Sequence, residues 1–397
     1  MLSDAESLHQ VATEKRWKRI MQIEPFVMER WQSTHEHQVE LNLSDSGVNP
    51  LTVSELLEPG EFEEMLAQKL IYTQSNGSPE LRDRIAALYP GANRENIEVT
   101  NGGSEANLIS AWSIVEPGDE VVVQIPNYMQ LWGVTRALGA DTKAWELRPD
   151  LDGGRWELDF DELEAMVGPK TRMIALCNPN NPAGSIMNES ELDRVAEIAA
   201  RHGTWVLVDE IYHGAELDGS KTPSMWGRHD RVIVTNSLSK AYGLPGLRLG
   251  WILGPPETID RCWGRHDYTS IAPGALSDLL AEKALQPERR ARILERTRSL
   301  LTSNLQLALD WVDRHPQIRT IKPRGGAYLM LAYDNPINSS ELAEKLRVEK
   351  SMLLVPGDHF GMDQWVRVGF GDDTETLTAG LQRFDELLVE LGDQVPG

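Results

Sequence analysis

The sequence predicts an α/β fold: a large unit with a mainly parallel, seven-stranded-type sheet flanked by helices, followed by a smaller α+β unit. Three observations predict it. Short apolar runs bounded by turn residues recur along the chain, and stretches with helical periodicity separate most of them. That alternation fades after about Gly274. A length of 397 residues also exceeds what one hydrophobic core usually organises.

The predicted strands, in order, are Ile97–Thr100, Glu120–Ile125, Met173–Cys177, Trp205–Val208, Val232–Thr235 and Leu249–Leu253, with helices at Glu105–Ile114, around Gln130–Leu138 and at Glu189–His202. Ala275–Val312 reads as helix with a break at Gln286-Pro287, and its charge-dense stretch Arg289–Leu300 reads as a solvated helix linking domains. The tail adds strands Tyr328–Ala332, Met352–Pro356 and Trp365–Gly369 and helices Ser340–Val348 and Thr374–Leu391. The resulting division is an N-terminal arm with part of the small domain at 1–55, a large domain at 56–285 and a C-terminal small domain at 286–397. Trp132, Trp145 and Trp251 read as core, and His213 and His266 as structural or rim residues.

Hydrophobic residues at 41% and charged residues at 25% are ordinary for a globular protein and exclude a collagen-like, disordered or membrane-embedded chain. A formal charge of −22, from 39 Lys+Arg against 61 Asp+Glu, sets the surface field against phosphate backbones and anionic lipid. Neither nucleic acid nor membrane is an expected partner. Cys177 and Cys262 are too few to staple the chain and lack metal-ligand spacing, so both are read as reduced and no metal is expected. The first 21 residues carry mixed charge without an apolar run, which reads as neither secretion signal nor anchor and leaves a cytoplasmic setting.

Four motifs carry chemistry. In Thr100-Asn-Gly-Gly-Ser-Glu-Ala-Asn107 a strand passes through glycines into a helix, whose first backbone N–H groups either cradle a phosphate or form a plain turn. Asn178-Pro-Asn-Asn-Pro-Ala-Gly184 follows a strand directly, where ligands of open α/β sheets bind. Asp209-Glu-Ile-Tyr212 ends an apolar strand with a carboxylate that either caps the next helix or meets a cation such as a protonated pyridine. In Ser237-Leu-Ser-Lys240, continuing to Gly-Leu-Arg-Leu-Gly-Trp251, a lysine beyond a strand end is available as a nucleophile, with Arg248 and Ser237 able to hold phosphate.

With these motifs and the late Arg367-Val-Gly-Phe370 in this order, residues 40–390 resemble the pyridoxal-phosphate enzymes of fold type I, the class I/II aminotransferases. The resemblance implies pyridoxal 5′-phosphate held as an internal aldimine on Lys240, which also carries the catalytic proton. It implies that Asp209 pairs with the ring nitrogen, that Tyr212 and Asn181 bond the 3′-oxygen, and that Tyr128 stacks on the ring. Gly103, Ser104, Ser237 and Arg248 would hold the phosphate, and Tyr72 would reach the phosphate of a neighbouring subunit, which implies a homodimer. Arg367 would clamp the α-carboxylate of the substrate, helped by Asn181 and the backbone near Gly47. The implied reaction is amino-group exchange between an amino acid and a keto acid.

One stretch departs from the family pattern. Asn42-Leu-Ser-Asp-Ser-Gly-Val48 stands where Gly-Glu-Pro is commoner, and is similar to the Ser-Ser-Gly-Val of capreomycidine synthase-like enzymes, which cyclise a hydroxylated arginine. That resemblance implies elimination or cyclisation instead of transamination, and an acidic pocket lining that suits a guanidinium. Two other classes fit less well. A regulator built on this fold would need a DNA-binding domain, and the roughly 40 residues before the match hold no helix-turn-helix. A dinucleotide-binding dehydrogenase would need an acidic residue ending the strand after the glycine turn, and none is there.

Overall fold

The computed structural model describes residues 23–393, so the N-terminal stretch on which the localisation reading rests lies outside the described residues. A helix, α1 (Val27–His35), precedes the large sheet. The sheet's strands are β1 (Ile97–Thr100), β2 (Glu120–Ile125), β3 (Asp141–Asp150), β4 (Arg155–Leu158), β5 (Thr171–Cys177), β6 (Trp205–Asp209), β7 (Val232–Ser237) and β8 (Gly250–Leu253). Their spatial order is β1-β8-β7-β6-β5-β2-β3-β4. β8 runs antiparallel to both its neighbours, β4 folds back on β3 as an edge hairpin, and the other pairings are parallel. The six strands named from the sequence all lie in this sheet, and β3 and β4, which the sequence reading did not name, bring it to eight.

Helices cover both faces, and the central strands show why they are apolar throughout. Val206 and Val208 of β6 enter one core while Trp205 and Leu207 enter the other, and Ile174 and Met173 of β5 divide the same way. A strand buried on two sides has no polar face to alternate with, as expected for a parallel sheet. Trp145 and Trp251 lie fully within the first core, and Trp132 packs partly buried against the second.

Two further helices of the large unit matter for the site: α2 (Gly103–Ile114), which leaves β1 through Gly102, and α3 (Pro256–His266). The predicted break at Gln286-Pro287 is present, because Pro287 cannot continue a helix from its amide and instead opens α4 (Pro287–Asp313). The reading of the start of α4 as solvated needs correction. Arg289, Ile293, Leu294, Thr297 and Leu301 of α4 are buried, and Arg289 donates to Glu61 at 2.8 Å. Charges occupy the outer face of an amphipathic helix there.

Beyond α4, Ile318–Thr320, Tyr328–Tyr333, Trp365–Gly369 and Val355–Pro356 form a separate antiparallel sheet. The predicted strand Met352–Pro356 is two. Met352–Leu353 pairs in parallel with Leu41–Asn42 near the N-terminus, and Val355–Pro356 pairs with the Arg367 strand. That pairing ties the loop after Asn42 to the strand that carries Arg367. No helix of the described residues is long and apolar enough to cross a membrane.

Candidate active site

Parallel strands in register bring distant motifs to one edge. Cys177 pairs with Asp209, and Asp209 with Thr235, across β5, β6 and β7, so the loops leaving these strands open side by side at their carboxyl ends. A cavity of about 280 Å³ lies there. Gly103, Ser104, Tyr128, Asn181, Asp209, Tyr212, Lys240, Arg248 and Arg367 all line it.

The Asn178–Gly184 turn is held by its own amides. Asn180 Oδ1 accepts from the Ala183 N–H at 3.0 Å, and Asn178 Oδ1 from that of Met187 at 2.9 Å. Asn181 is thereby left to face the cavity, where its Oδ1 accepts from Arg367 Nη1 at 2.8 Å. Arg367 Nη2 donates to the Ser44 carbonyl at 2.6 Å. Its guanidinium lies 5.5 Å from the ring centroids of both Tyr328 and Phe360. The side chain is 1% exposed, its Nε has no partner, and no carboxylate of the described residues forms an ion pair with it. Burial lowers its pKa. A desolvated cation with a free donor is a site for an anion.

Asp209 is the complementary case. Its Oδ2 accepts from Asn107 Nδ2 at 2.9 Å and its Oδ1 from the Ile211 N–H at 3.1 Å, while Asn107 is itself fixed by Thr235. Burial outweighs these donors and raises the Asp209 carboxyl to about 6. A buried carboxylate with no cation beside it favours a cationic ligand.

Lys240 stands three residues beyond the end of β7, and its Nζ lies 3.2 Å from Asp45 Oδ1, with 25% and 60% of the two side chains exposed. Burial works against the ammonium, but the Asp45 charge wins and the lysine pKa is raised. The Lys240 charge in turn holds Asp45 down at about 2.

At the other end of the cavity α2 begins without a side-chain cap, so its first N–H groups are unclaimed by one. A Cβ at Gly102 would fall 2.4 Å from Arg248 Nη2, and one at Gly103 3.1 Å from Ile211 Cδ1. Glycine is required for the close approach. Arg248 sits at φ +46 and donates from Nη1 to Ser239 Oγ at 3.3 Å. Tyr128 donates its hydroxyl to Glu29 at 2.7 Å, and Tyr212 donates to Ser46 Oγ at 2.9 Å.

Three expected site residues are not on the cavity wall. Ser237 is fully buried behind Gly103, its Oγ accepting from the Ser239 N–H. Gly47 lies behind Lys240, with its N–H given to Asp45 Oδ1 at 2.9 Å. Tyr72 is 81% exposed and does not face the cavity of its own chain. Conversely, Glu29, Gln32 and Glu36 of the α1 segment, with Asp45 and Asn107, line the cavity without having been singled out in the sequence. Asn107 stood within the quoted glycine motif, whereas the α1 residues follow no motif.

At the carboxyl edge of an open α/β sheet the chain thus gathers an amine, a buried carboxylate and an arginine with no ion-pair partner among the described residues, groups that suit a ligand bearing both charges. The chain belongs to the family described as aminotransferase class I and II, whose model matches residues 52–384. It is 29% identical over 375 residues to the capreomycidine synthase of Streptomyces vinaceus, covering 93% of this chain and 94% of that protein. A solved PLP-dependent aminotransferase from Streptococcus suis 89-1591 superposes with a TM-score of 0.88 at 32% identity, covering 93% of this chain and 99% of that one. The solved PLP-dependent cyclase OrfR superposes at 0.83 with 27% identity, covering 93% and 98%.

Proposed function

We propose that the protein is a pyridoxal 5′-phosphate-dependent aminotransferase acting on an amino acid and a keto acid, with Lys240 as the lysine that holds the cofactor. The observation that carries this is the convergence of Lys240, Asp209 and Arg367 on one cavity. The residues fit the group: the uncapped start of α2, with a Cβ excluded at Gly102 by Arg248, suits a phosphate, and the Asp209 carboxyl, left without a cation, suits a pyridinium.

In this reading Gly103, Ser104 and Arg248 would hold the phosphate, with Ser237 buried behind them, Asp209 would keep the ring nitrogen protonated, and Tyr212 and Asn181 would bond the ring oxygen. Tyr128 lies against the ring. Bound there, pyridoxal 5′-phosphate supplies an electron sink for the carbanion left when an amino acid loses its Cα proton. Arg367, with Asn181, would orient the α-carboxylate, which fixes which substituent faces Lys240. Lys240 would hold the cofactor covalently and, as a free amine, would take the Cα proton and return it. Tyr72 reaches the phosphate of a second copy, making the active unit a homodimer.

A second reading is supported by the loop Ser44–Gly47 and by the similarity to a capreomycidine synthase and a PLP-dependent cyclase. There the hydroxyl of a hydroxylated arginine would leave as water, a guanidinium nitrogen would bond to the carbon it left, and a proton would return to Cα. One experiment addresses both. The purified protein should show the visible absorbance of the bound cofactor, and Lys240→Ala should remove it together with the borohydride-stable mass increment. A colourless protein that stays so with added pyridoxal 5′-phosphate sinks the proposal. Keto acid formed in step with loss of 2-oxoglutarate marks transamination, and ring formation from hydroxyarginine without an acceptor marks the second reading.

A further inference from the structure

We infer that Trp156, near the tip of the β3–β4 hairpin, is a positioning residue for Arg367: it seats the strand that carries the guanidinium against the large unit before any carboxylate arrives. The inference rests on the reading of Arg367 as the carboxylate clamp and holds for either reaction.

Alternation along the small sheet brings the two residues into relation. Register partners share a face, and so do residues two apart on a strand, so Tyr328, Met330, Ala332, Trp365 and Arg367 lie on one side. Leu329, Leu331, Val366 and Val368 take the opposite side and enter the first core. The side with Arg367 meets the large unit at two places. At one, Tyr328 donates its hydroxyl to the Asn180 carbonyl at 3.0 Å and Arg367 donates to Asn181, so that contact belongs to the site itself. At the other, Met330, Ala332 and Trp365 pack against Leu151 and Trp156 of the hairpin, with the two tryptophan ring centroids 5.8 Å apart. Trp365 and Arg367 are two residues apart on an extended strand, about 7 Å, so a shift at the hairpin contact moves the guanidinium.

Charge explains why an apolar contact serves here. Before a carboxylate binds, Arg367 is a buried cation held by two neutral acceptors, the Asn181 amide oxygen and the Ser44 carbonyl. Its desolvation favours moving the strand out toward water. A protein carboxylate would hold the strand in place but would also occupy the clamp. Two stacked indoles hold it and leave the guanidinium free. A second observation separates Trp156 from an ordinary packing residue: its Nε1 is buried with no acceptor, whereas Trp145, Trp251 and Trp311 each donate from theirs. The ring is kept in place at the expense of an unmade hydrogen bond.

The test uses the cofactor-loaded protein and two probes. One is the proteinogenic amino acid that shifts the visible spectrum at the lowest concentration, and the other is the primary amine which that amino acid would leave on losing its carboxylate. Trp156→Ala should weaken the amino acid by about threefold to tenfold and leave the affinities of the amine and of the cofactor unchanged, because only the amino acid engages Arg367. Trp156→Phe keeps an apolar ring and deletes the unpaired N–H, so it should bind the amino acid as tightly as the wild type does. Leu151→Ser cuts the same contact from the turn and should repeat the Trp156→Ala pattern; it decides by the same two probes if Trp156→Ala takes up no cofactor. Unchanged amino acid affinity in the loaded variant overturns this inference alone, and so does an equal loss for amine and amino acid, the mark of general loosening. A coloured wild-type protein that no amino acid shifts overturns the Arg367 clamp and this inference with it, and a wild-type protein that takes up no cofactor overturns the cofactor reading as well.

Discussion

Asp209 joins the strand order to the chemistry, because its place at the end of β6 makes it both buried and central. With its carboxyl raised to about 6, the cofactor-free protein holds a proton there below about pH 6, and that proton must leave before a pyridinium can pair. The sign follows: the anion is the form that binds, so cofactor affinity should fall as pH drops below about 6. Asp209→Asn should lose that pH dependence, bind cofactor more weakly at neutral pH, and turn over more slowly by about a hundredfold or more. Titrating the visible absorbance with cofactor between mildly acid and neutral pH measures it, and parallel pH curves for both proteins would refute the assignment. At this scale Lys240, Asp209, Tyr212 and Asn181 are legible in the sequence because each follows an apolar run. Asp45 and Glu29 are not, since a carboxylate on a polar helix or loop has no spacing code and only folding reveals which face it presents.

Elements carry a constraint that no motif announces. The last residue of α3, His266, is fully buried, with Nδ1 2.7 Å from Glu98 Oε1 of β1 and Nε2 2.9 Å from Ser270 Oγ and 3.4 Å from Glu105 Oε2 of α2. Burial opposes the imidazolium, but the hydrogen bonds and charges of Glu105 and Glu98 outweigh it and push His266 up to about 9. The ring thus clamps the start of α2, the proposed phosphate cradle, to the loop in which Ile271 sits at φ +71. Because the folded value lies above the ordinary 6.5, the stabilisation is complete below about pH 6.5 and is lost as pH rises through about 9. His266→Asn should destabilise the fold near pH 6.5, but by less than the loss of a fully ionised pair, because burial raises the Glu98 carboxyl to about 7 and lets it take up a proton once the imidazolium is gone. The variant's stability should then vary less with alkaline pH than that of the wild type. Denaturant midpoints measured across that range decide it, and identical slopes would show the histidine to be uncharged. The sequence reading of His266 as structural points the right way, but the partners come from β1 and α2, far apart in the chain. The hairpin β3–β4 was illegible for a different reason: its exposed, charge-rich strands give no apolar run, as befits a sheet edge.

At the scale of the molecule, the exposed apolar surface bears on assembly. Leu66, Leu70, Ile71 and Tyr72 are 79%, 80%, 64% and 81% exposed within one short stretch, and Tyr268 and Ile271 are exposed as well. A stretch of this kind on a folded chain marks a surface that another protein covers. We propose that a second copy covers it, which would give Tyr72 the cross-subunit position that its resemblance implies. Each copy carries a formal charge of −22, so association works against mutual repulsion, and the dimer should tighten as added salt screens it. Replacing Leu70 and Ile71 by glutamate should give monomers that hold the cofactor poorly, because the phosphate would lack its partner's tyrosine. Tyr72→Phe should leave the dimer intact and weaken cofactor binding by about tenfold to a hundredfold, the size of one hydrogen bond to a charged group. Sedimentation velocity with detection in the visible reads mass and cofactor content together. A wild-type protein that sediments as a fully loaded monomer would sink the proposal, and so would a Tyr72→Phe variant with unchanged cofactor affinity.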